Sequence, residues 1–383
     1  MKFRQSTEIS KTVLVISDLH LGAGPFVEGR KNFLEDFHFD EELVEFLYYY
    51  SSGDYAEREV ELVINGDLFD LLAVPFVRYF DDEYWSEKAA LEKLKIVMDA
   101  HRSVITGFAK FLSIKNKKIV YIIGNHDAEM LFKGLQKYLL SSLPEYCREH
   151  FIIRVNNQVA YNPVEGVAIM HGHEYEFANL FEIEESVIED NQGHEYFVPP
   201  WGSYYVLRVI NRFKSERRYV NAVKPVRHFI IHGFIYEPLF TLRFLFASFF
   251  YFFMVRFLHL WRQTKNLKSI WSYLKKELAV FRDYEEITQD YFLEHPNIRT
   301  LIVGHSHMPC FNEYADGPTF INTGTWTRTH RLGFSDRNDG VMLTYAQIDL
   351  GKKNKISEKN QGKPFELALN IWKGRSTLPF IEF

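Results

Sequence analysis

A chain of 383 residues can bury at least one large core, and with 46% hydrophobic and 25% charged residues it has the make-up of a globular protein rather than a disordered or fibrous one. The formal net charge of -5 gives no general attraction for polyanions, which counts against polynucleotide binding. The two cysteines, Cys147 and Cys310, exclude a disulfide framework and a paired-cysteine metal motif, and fit a reducing compartment.

In chain order, the polar N-terminus continues to Lys11, and the apolar stretch Val13 to Ile16 is too short for a signal-peptide core, so the chain is expected in the cytoplasm. TVLVIS (12–17) reads as a strand buried on both faces, because its apolar residues are continuous and β-branched. Asp18-Leu19-His20 follows it. VELVIN (60–65) is a second such run, followed by Gly66-Asp67. Trp85, Ala89, Leu91, Leu94, Val97, Met98, Ile105 and Phe108 recur at helical intervals within 81–113. KIVYIIG (118–124) leads into Asn125-His126-Asp127, and GVAIMHG (166–172) carries His171 at its own end. Residues 175–298 break the pattern and read as an insertion, leaving 1–174 and 299–383 as the catalytic part. RTLIVG (299–304) then delivers His305-Ser306-His307, and PTFINTGTW and GVMLTYAQIDL read as closing strands.

Each of the first five runs thus brings metal-competent side chains to its C-terminal end, the edge where α/β sheets bind ligands. Residues i and i+2 of an extended segment point to one side, so Asp18 with His20, and His305 with His307, are each expected to face one site. Together Asp18, His20, Asp67, Asn125, His171, His305 and His307 supply imidazoles, carboxylates and an amide oxygen but no thiolate. That donor set suits Mn, Fe or Zn better than Ca or Mg. Seven donors exceed one coordination shell. Two divalent ions sharing a carboxylate account for them, and such a pair catalyses displacement at phosphorus. Singly, each residue has an ordinary structural explanation, as a buried histidine, a cap or a turn; five independent strand ends acting alike favour the metal site. His173, His232 and Cys310 are read as structural.

The chain's aromatic share is 16%, and residues 229–261, FIIHGFIYEPLFTLRFLFASFFYFFMVRFLHLW, hold much of it. The uncharged stretch runs only from Phe244 to Val255, between Arg243 and Arg256, too short to span a bilayer. Two readings stay open: a lid packed on the main domain or a second copy, and a segment lying in a membrane interface. Upstream, Arg208, Arg212, Lys214, Arg217, Arg218, Lys224 and Arg227 could meet anionic lipid, meet a diphosphate, or form a solvated helix face.

The blocks DLH, NGD, GNHD, the His of MHG, and GHSH resemble those of the calcineurin-like metallophosphoesterases, in the same order, across residues 16–307. The resemblance implies an α/β fold, a two-sheet sandwich flanked by helices, here with a large helical aromatic-rich insertion. It implies one metal on Asp18, His20, Asp67 and His307, and a second on Asp67, Asn125, His171 and His305, with manganese the expected ion. It further implies His126 as general acid with Asp127 as its orienting partner. GDLFDLL lacks the Arg-Gly that protein Ser/Thr phosphatases carry after the second Asp. SDLHLG and GDLFD are similar to the UDP-2,3-diacylglucosamine hydrolases, although those enzymes usually have Arg where this chain has His126.

The expected function is therefore dinuclear metal-dependent hydrolysis of a phosphoester or pyrophosphate bond, in a phosphorylated small molecule or a lipid-linked or UDP-sugar substrate. Peripheral contact with the inner face of the membrane goes with the lipid reading. A nucleotide phosphodiesterase or nuclease on the same scaffold is the alternative, and a non-catalytic membrane or partner-binding scaffold has no reason to keep seven donors.

Overall fold

In the strand β1 (Ile9–Ile16), Val13 and Val15 point to one face of a sheet and Leu14 and Ile16 to the other, and all four are buried. Burial on both faces is why the apolar run is continuous instead of alternating. The computed structural model describes residues 9–75, 85–156, 159–176, 178–220, 223–224, 226–254, 284–314, 317–328, 330–331, 342–351 and 365–374. The larger strands after β1 are β2 (Glu59–Asn65), β3 (Lys117–Ile122), β4 (Phe151–Arg154), β5 (Val167–Ile169), β6 (Thr300–Val303), β7 (Cys310–Glu313), β8 (Thr319–Asn322), β9 (Leu343–Gly351) and β10 (Phe365–Trp372).

They form two sheets. A six-stranded sheet has the order β10-β9-β1-β2-β3-β4, in which β1 to β4 are mutually parallel while β9 and β10 add antiparallel. A four-stranded sheet has the order β7-β8-β6-β5, parallel except for the edge strand β7. Between the sheets Val13, Val15, Val63, Val120 and Ile122 meet Val167, Ile169, Ile302 and Ile321. Each such fully buried aliphatic side chain contributes on the order of 1.5–3 kcal/mol.

The outer face of the first sheet carries Leu14, Ile16, Leu62 and Ile64 against the helices α1 (Asp40–Tyr49), α2 (Glu87–Ala100), α3 (Arg102–Leu112) and α4 (Lys133–Ser141). The helical pattern of 81–113 is two helices. Ser86 caps α2 by accepting the N–H of Ala89 at 3.2 Å, and the chain breaks at His101, whose φ of -111° and ψ of 38° leave the helical region. Residues 81–84 of that pattern lie outside the described residues. The result is an α/β sandwich of two sheets flanked by helices, as the sequence leads one to expect.

Between β5 and β6 the described residues add no strand to either sheet. It forms the ribbon Val187–Glu189 with Glu195–Phe197, short helices at Trp201–Tyr205 and Asn211–Glu216, then α5 (Val226–Tyr236), α6 (Pro238–Phe252) and α7 (Tyr284–Glu294). Val209, Phe213, Phe229, Phe240, Phe244 and Tyr251 make a separate small core there. Asn211 Nδ2 donates to the Leu72 carbonyl at 2.8 Å and Lys214 Nζ to the Leu34 carbonyl at 2.8 Å, which fasten this region to the sandwich. Helix α7 behaves differently: Tyr291 and Phe292 pack with Leu301, Val303 and Phe320 on the outer face of the second sheet. Arg256 and the rest of the aromatic run to 261 lie outside the described residues. Among the described residues no helix is long and apolar enough to cross a membrane.

Candidate metal centre

The candidate donors follow the ends of five strands, three from the first sheet and two from the second. Asp18 and His20 lie beyond Ile16, Asp67 beyond Asn65, Asn125 beyond Ile122, His171 beyond Ile169, and His305 and His307 beyond Val303. The expectation of extended pairs is corrected by the backbone. Asp18, His20, Asp67, His305 and His307 have φ of 52°, 54°, 52°, 64° and 60°, so each pair is presented by a left-handed curl rather than by strand alternation. Hydrogen bonds hold the curls: Asp18 N–H donates to the Gly66 carbonyl at 3.2 Å and His20 N–H to the Asp67 carbonyl at 2.9 Å, zipping the first two loops together. Close approach explains the glycines beside them. A methyl on Gly66 would overlap the His171 ring, and one on Gly304 would lie 2.5 Å from both Asp18 Oδ2 and Ser17 Oγ.

The side chains gather into overlapping groups. Asp18, His20 and His307 offer donor atoms all within 4.8 Å of one another, as do Asp67, His171 and His305, and also His20, Asp67 and His126. His20 Nε2 is 3.0 Å from His307 Nε2, which is 3.3 Å from Asp18 Oδ1. Asp67 Oδ2 lies 3.7 Å from His20 Nε2 and 3.3 Å from His171 Nε2, so one carboxylate oxygen stands between the groups. His171 Nδ1 donates to the Asn65 carbonyl at 2.7 Å, which leaves Nε2 as the nitrogen aimed at Asp67. The structure therefore divides the His305/His307 pair between two groups. Asn125 sits between Gly124, whose α-carbon packs on Asp67, and His126, whose N–H donates to Asp67 Oδ1 at 2.9 Å.

A buried polar atom without a partner is expensive, and this site contains such atoms. Asn125 Oδ1 is buried and takes part in no hydrogen bond, and buried His171 Nε2 faces Asp67 Oδ2 at 3.3 Å without a well-formed one. A divalent ion would satisfy both, and the mixed nitrogen and oxygen donors fit a borderline metal. The charges agree. Burial opposes ionisation of Asp18 and Asp67, yet His171 and His307 hold the Asp18 carboxyl at about 2, and His171, His126 and His20 hold Asp67 well below the usual carboxylate range. Burial opposes the imidazolium form of His20 and His171, yet hydrogen bonding to Asp70 and the charge of Asp67 raise His20 to about 9, and Asp67 with Asp18 raises His171 to about 10. Without cations the buried carboxylates keep protons on their imidazole neighbours; a metal must displace them.

The partner of His126 is corrected. Its Nδ1 lies 2.9 Å from Asp70 Oδ1, not on Asp127. Asp127 is turned into the core instead, where it accepts from Leu68 N–H at 2.8 Å, Gly124 N–H at 2.6 Å and Tyr121 O–H at 2.6 Å. Those bonds tie the GNHD turn to β3 and to the loop after β2, so Asp127 shapes the site without touching the imidazole it was expected to orient. Burial and the Asp67 charge push its carboxyl up to about 6. Asp70 is buried, and its other oxygen is 3.7 Å from His20 Nδ1. The signal for Asp70 was present in GDLFDLL: a lone charge in an apolar run must be paired if it is buried.

Glu176 is a second residue the motifs did not single out; its Oε2 is 2.9 Å from His305 Nε2. Nothing in its surroundings in the sequence marks it. His173 is buried and stacks on Phe181 with ring centroids 5.1 Å apart, 5.3 Å from the His171 ring. His232 stacks on Tyr236 in α5, and Cys310 lies in β7.

The family model of the calcineurin-like phosphoesterases matches residues 11–309, a stretch that contains all seven candidate donors and both described sheets' parallel strands up to β6. The chain belongs to the calcineurin-like phosphoesterases, metal-dependent hydrolases of phosphoesters. Among solved structures it is similar to a predicted phosphoesterase of Streptococcus pneumoniae, at 9% identity over 94% of this chain and 97% of that one, with a TM-score of 0.27. It is similar to Vacuolar Protein Sorting 29 of Cryptosporidium parvum, at 12% identity over 95% and 98%, with a TM-score of 0.29. A 5'-nucleotidase of Candida albicans matches at 10% identity over 96% of this chain but 53% of that one, so this chain spans about half its length; the TM-score is 0.31. No curated protein matches the chain.

Proposed function

We propose that this phosphoesterase is dinuclear, with Asp18, His20, Asp67 and His307 holding one divalent ion and Asp67, Asn125, His171 and His305 the other, manganese being the metal we favour over iron or zinc. What supports this is one buried carboxylate, Asp67, whose Oδ2 lies 3.7 Å from His20 Nε2 and 3.3 Å from His171 Nε2, with the orphaned oxygen of Asn125 beside it. Such a pair of cations, when bound, makes a water molecule nucleophilic near neutral pH and draws charge from phosphoryl oxygens. The chain's own part is to aim and to deliver protons. Asn65 fixes the His171 tautomer, and Asp18 is steadied by the His305 N–H at 3.0 Å. His126, exposed enough to reach a substrate and held by Asp70, donates the proton to the departing oxygen.

The bond attacked is a phosphoester or pyrophosphate, and the SDLHLG and GDLFD runs support a lipid-linked or UDP-sugar substrate. Residues 175–298 serve as the helical insertion bordering the site, with α7 grouped by its packing with the sandwich, and the protein works in the cytoplasm.

The test joins metal content to turnover. Asp67→Asn is expected to lower bound metal and activity together on a panel of phosphomonoesters, phosphodiesters and UDP-linked lipids, because an amide bridges two dications poorly. Full metal occupancy with wild-type turnover in that variant overturns the dinuclear reading. Turnover confined to nucleotide diesters replaces the lipid-linked substrate with the nucleotide phosphodiesterase alternative.

A further inference from the structure

Helix α6 is apolar on two sides. Phe240, Phe244 and Tyr251 pack inward, while Leu239, Leu242, Phe246 and Phe249 repeat at helical spacing on the opposite side and are turned out. Leu239 is 78% exposed, Phe246 70% and Phe249 69%. Helix α5 adds exposed Ile231, Ile235 and Tyr236. A helix apolar all round belongs inside something, and a contiguous patch of this kind marks a contact surface.

The same region carries an excess of positive charge. Residues 201–254 contain eight Lys/Arg and two Asp/Glu, in a protein whose net charge is -5. Arg208, Arg212 and Arg243 line a groove of about 810 Å³ with Phe246, Phe250 and Met254. Arg243 is braced by Glu216 at 3.0 Å, and the Arg208 guanidinium lies over the Tyr204 ring at 4.7 Å, so both are fixed where they line the groove.

Charge chooses between possible coverings of this face. A second copy would bring two basic regions together. An anionic lipid layer offers an apolar boundary to the aromatic stripe and phosphates to the arginines. We propose that α5 and α6 dock in the interface of an anionic membrane, with Leu239, Phe246 and Phe249 entering the acyl boundary and Arg208, Arg212 and Arg243 meeting lipid phosphates. The proposal rests on the surface alone and is read by binding, so it stands or falls separately from the hydrolytic reading.

The experiment is co-sedimentation of the full chain with vesicles of phosphatidylcholine, alone or with about a third phosphatidylglycerol, at low and high salt. The anionic vesicles are expected to bind about tenfold or more tightly than the neutral ones, with the advantage shrinking in high salt. Leu239→Ser/Phe246→Ser/Phe249→Ser is expected to weaken binding by about tenfold or more, with an unchanged Tm and unchanged turnover of a soluble aryl phosphoester. Should that variant fold poorly, Arg212→Glu, on an exposed side chain, is expected to remove the preference for anionic vesicles. A wild-type chain that stays with the supernatant in both compositions overturns the proposal. So does a dimer, by sedimentation, that the triple substitution converts to monomer while vesicles are ignored, since the occupant is then a second copy. Equal binding to neutral and anionic vesicles overturns the part given to the arginines.

Discussion

Replacing Asp70 by Asn removes one charge and keeps the shape. The carboxylate is buried and lies 2.9 Å from His126 Nδ1, so under the proposed role of His126 as proton donor it is the counter-charge for the proton being delivered. Two unit charges about 4 Å apart interact by about 4 kcal/mol at an effective dielectric constant near 20. The amide still accepts a hydrogen bond, and a neutral bond has roughly half the strength of a charge-assisted one. The net loss is then about 2 kcal/mol, or roughly thirtyfold in rate. The assay is kcat for Asp70→Asn on an alkyl phosphoester, whose leaving group needs a proton, and on an activated aryl phosphoester, whose leaving group does not. Metal content is measured alongside, because Asp70 Oδ2 is 3.7 Å from His20 Nδ1. The thirtyfold loss is expected on the alkyl ester and only a few-fold loss on the aryl ester. Asp127→Asn should lower Tm and reduce both substrates alike, as its oxygens serve backbone N–H groups and Tyr121. Equal losses on the two substrates for Asp70→Asn at full metal content, or a leaving-group-selective loss for Asp127→Asn, would refute the assignment.

Two other substitutions test how the frame supports the site. Gly304→Ala should cost about 1–3 kcal/mol of stability and most of the metal affinity, because its β-carbon would lie 2.5 Å from Asp18 Oδ2; a variant with wild-type Tm and metal content would show the loop can shift. His101, at the break between α2 and α3, lies 2.9 Å from Asp40 Oδ1 and 3.7 Å from Glu35 Oε2; burial opposes its charge, but these carboxylates raise it from 6.5 to about 9. A raised imidazole stabilises the fold fully below its unfolded value and ceases to do so as pH rises through its folded one. Each tenfold gain in proton affinity on folding is worth about 1.4 kcal/mol. The stability gap between wild type and His101→Gln should therefore be about 3 kcal/mol near pH 6 and close gradually above about pH 7 to 9. Denaturant melts at several pH values measure it, and a gap that does not change with pH would contradict the ion-pair account.

The strands that carry the donors were legible because both faces of each are buried, which turns them into uninterrupted runs of Val, Ile and Leu. That same continuity hides the division into two sheets: Val15 and Ile169 belong to different sheets and share the core between them, yet nothing in either run says which sheet it joins. The strands β4 and β10 are hidden for the opposite reason. They are edges, half exposed, with Ile152 and Ile371 open to solvent, so their patterns are weak. At the site, residue types and order picked out side chains that the structure brings together, while their presentation depended on φ values that a sequence does not display. The partnership of His126 depended on distance: Asp127 is adjacent in the chain but bends into the core, and Asp70 arrives from another loop.

The left-handed backbone at Asp18, His20, Asp67, His305 and His307 changes what a mutational scan of this site would measure. A non-glycine residue in that region costs on the order of 1 kcal/mol, so five of them withhold roughly 5 kcal/mol from a fold whose net stability is of order 5–15 kcal/mol. Alanine at His307 deletes an imidazole but keeps a β-carbon in the unfavourable well. Glycine deletes both. The melting-temperature difference between the alanine and glycine variants at one position, corrected for the greater flexibility of unfolded glycine, is therefore a strain gauge. Applied to each donor in turn, it would separate the energy the chain invests in holding its hand open from the energy of what the hand holds.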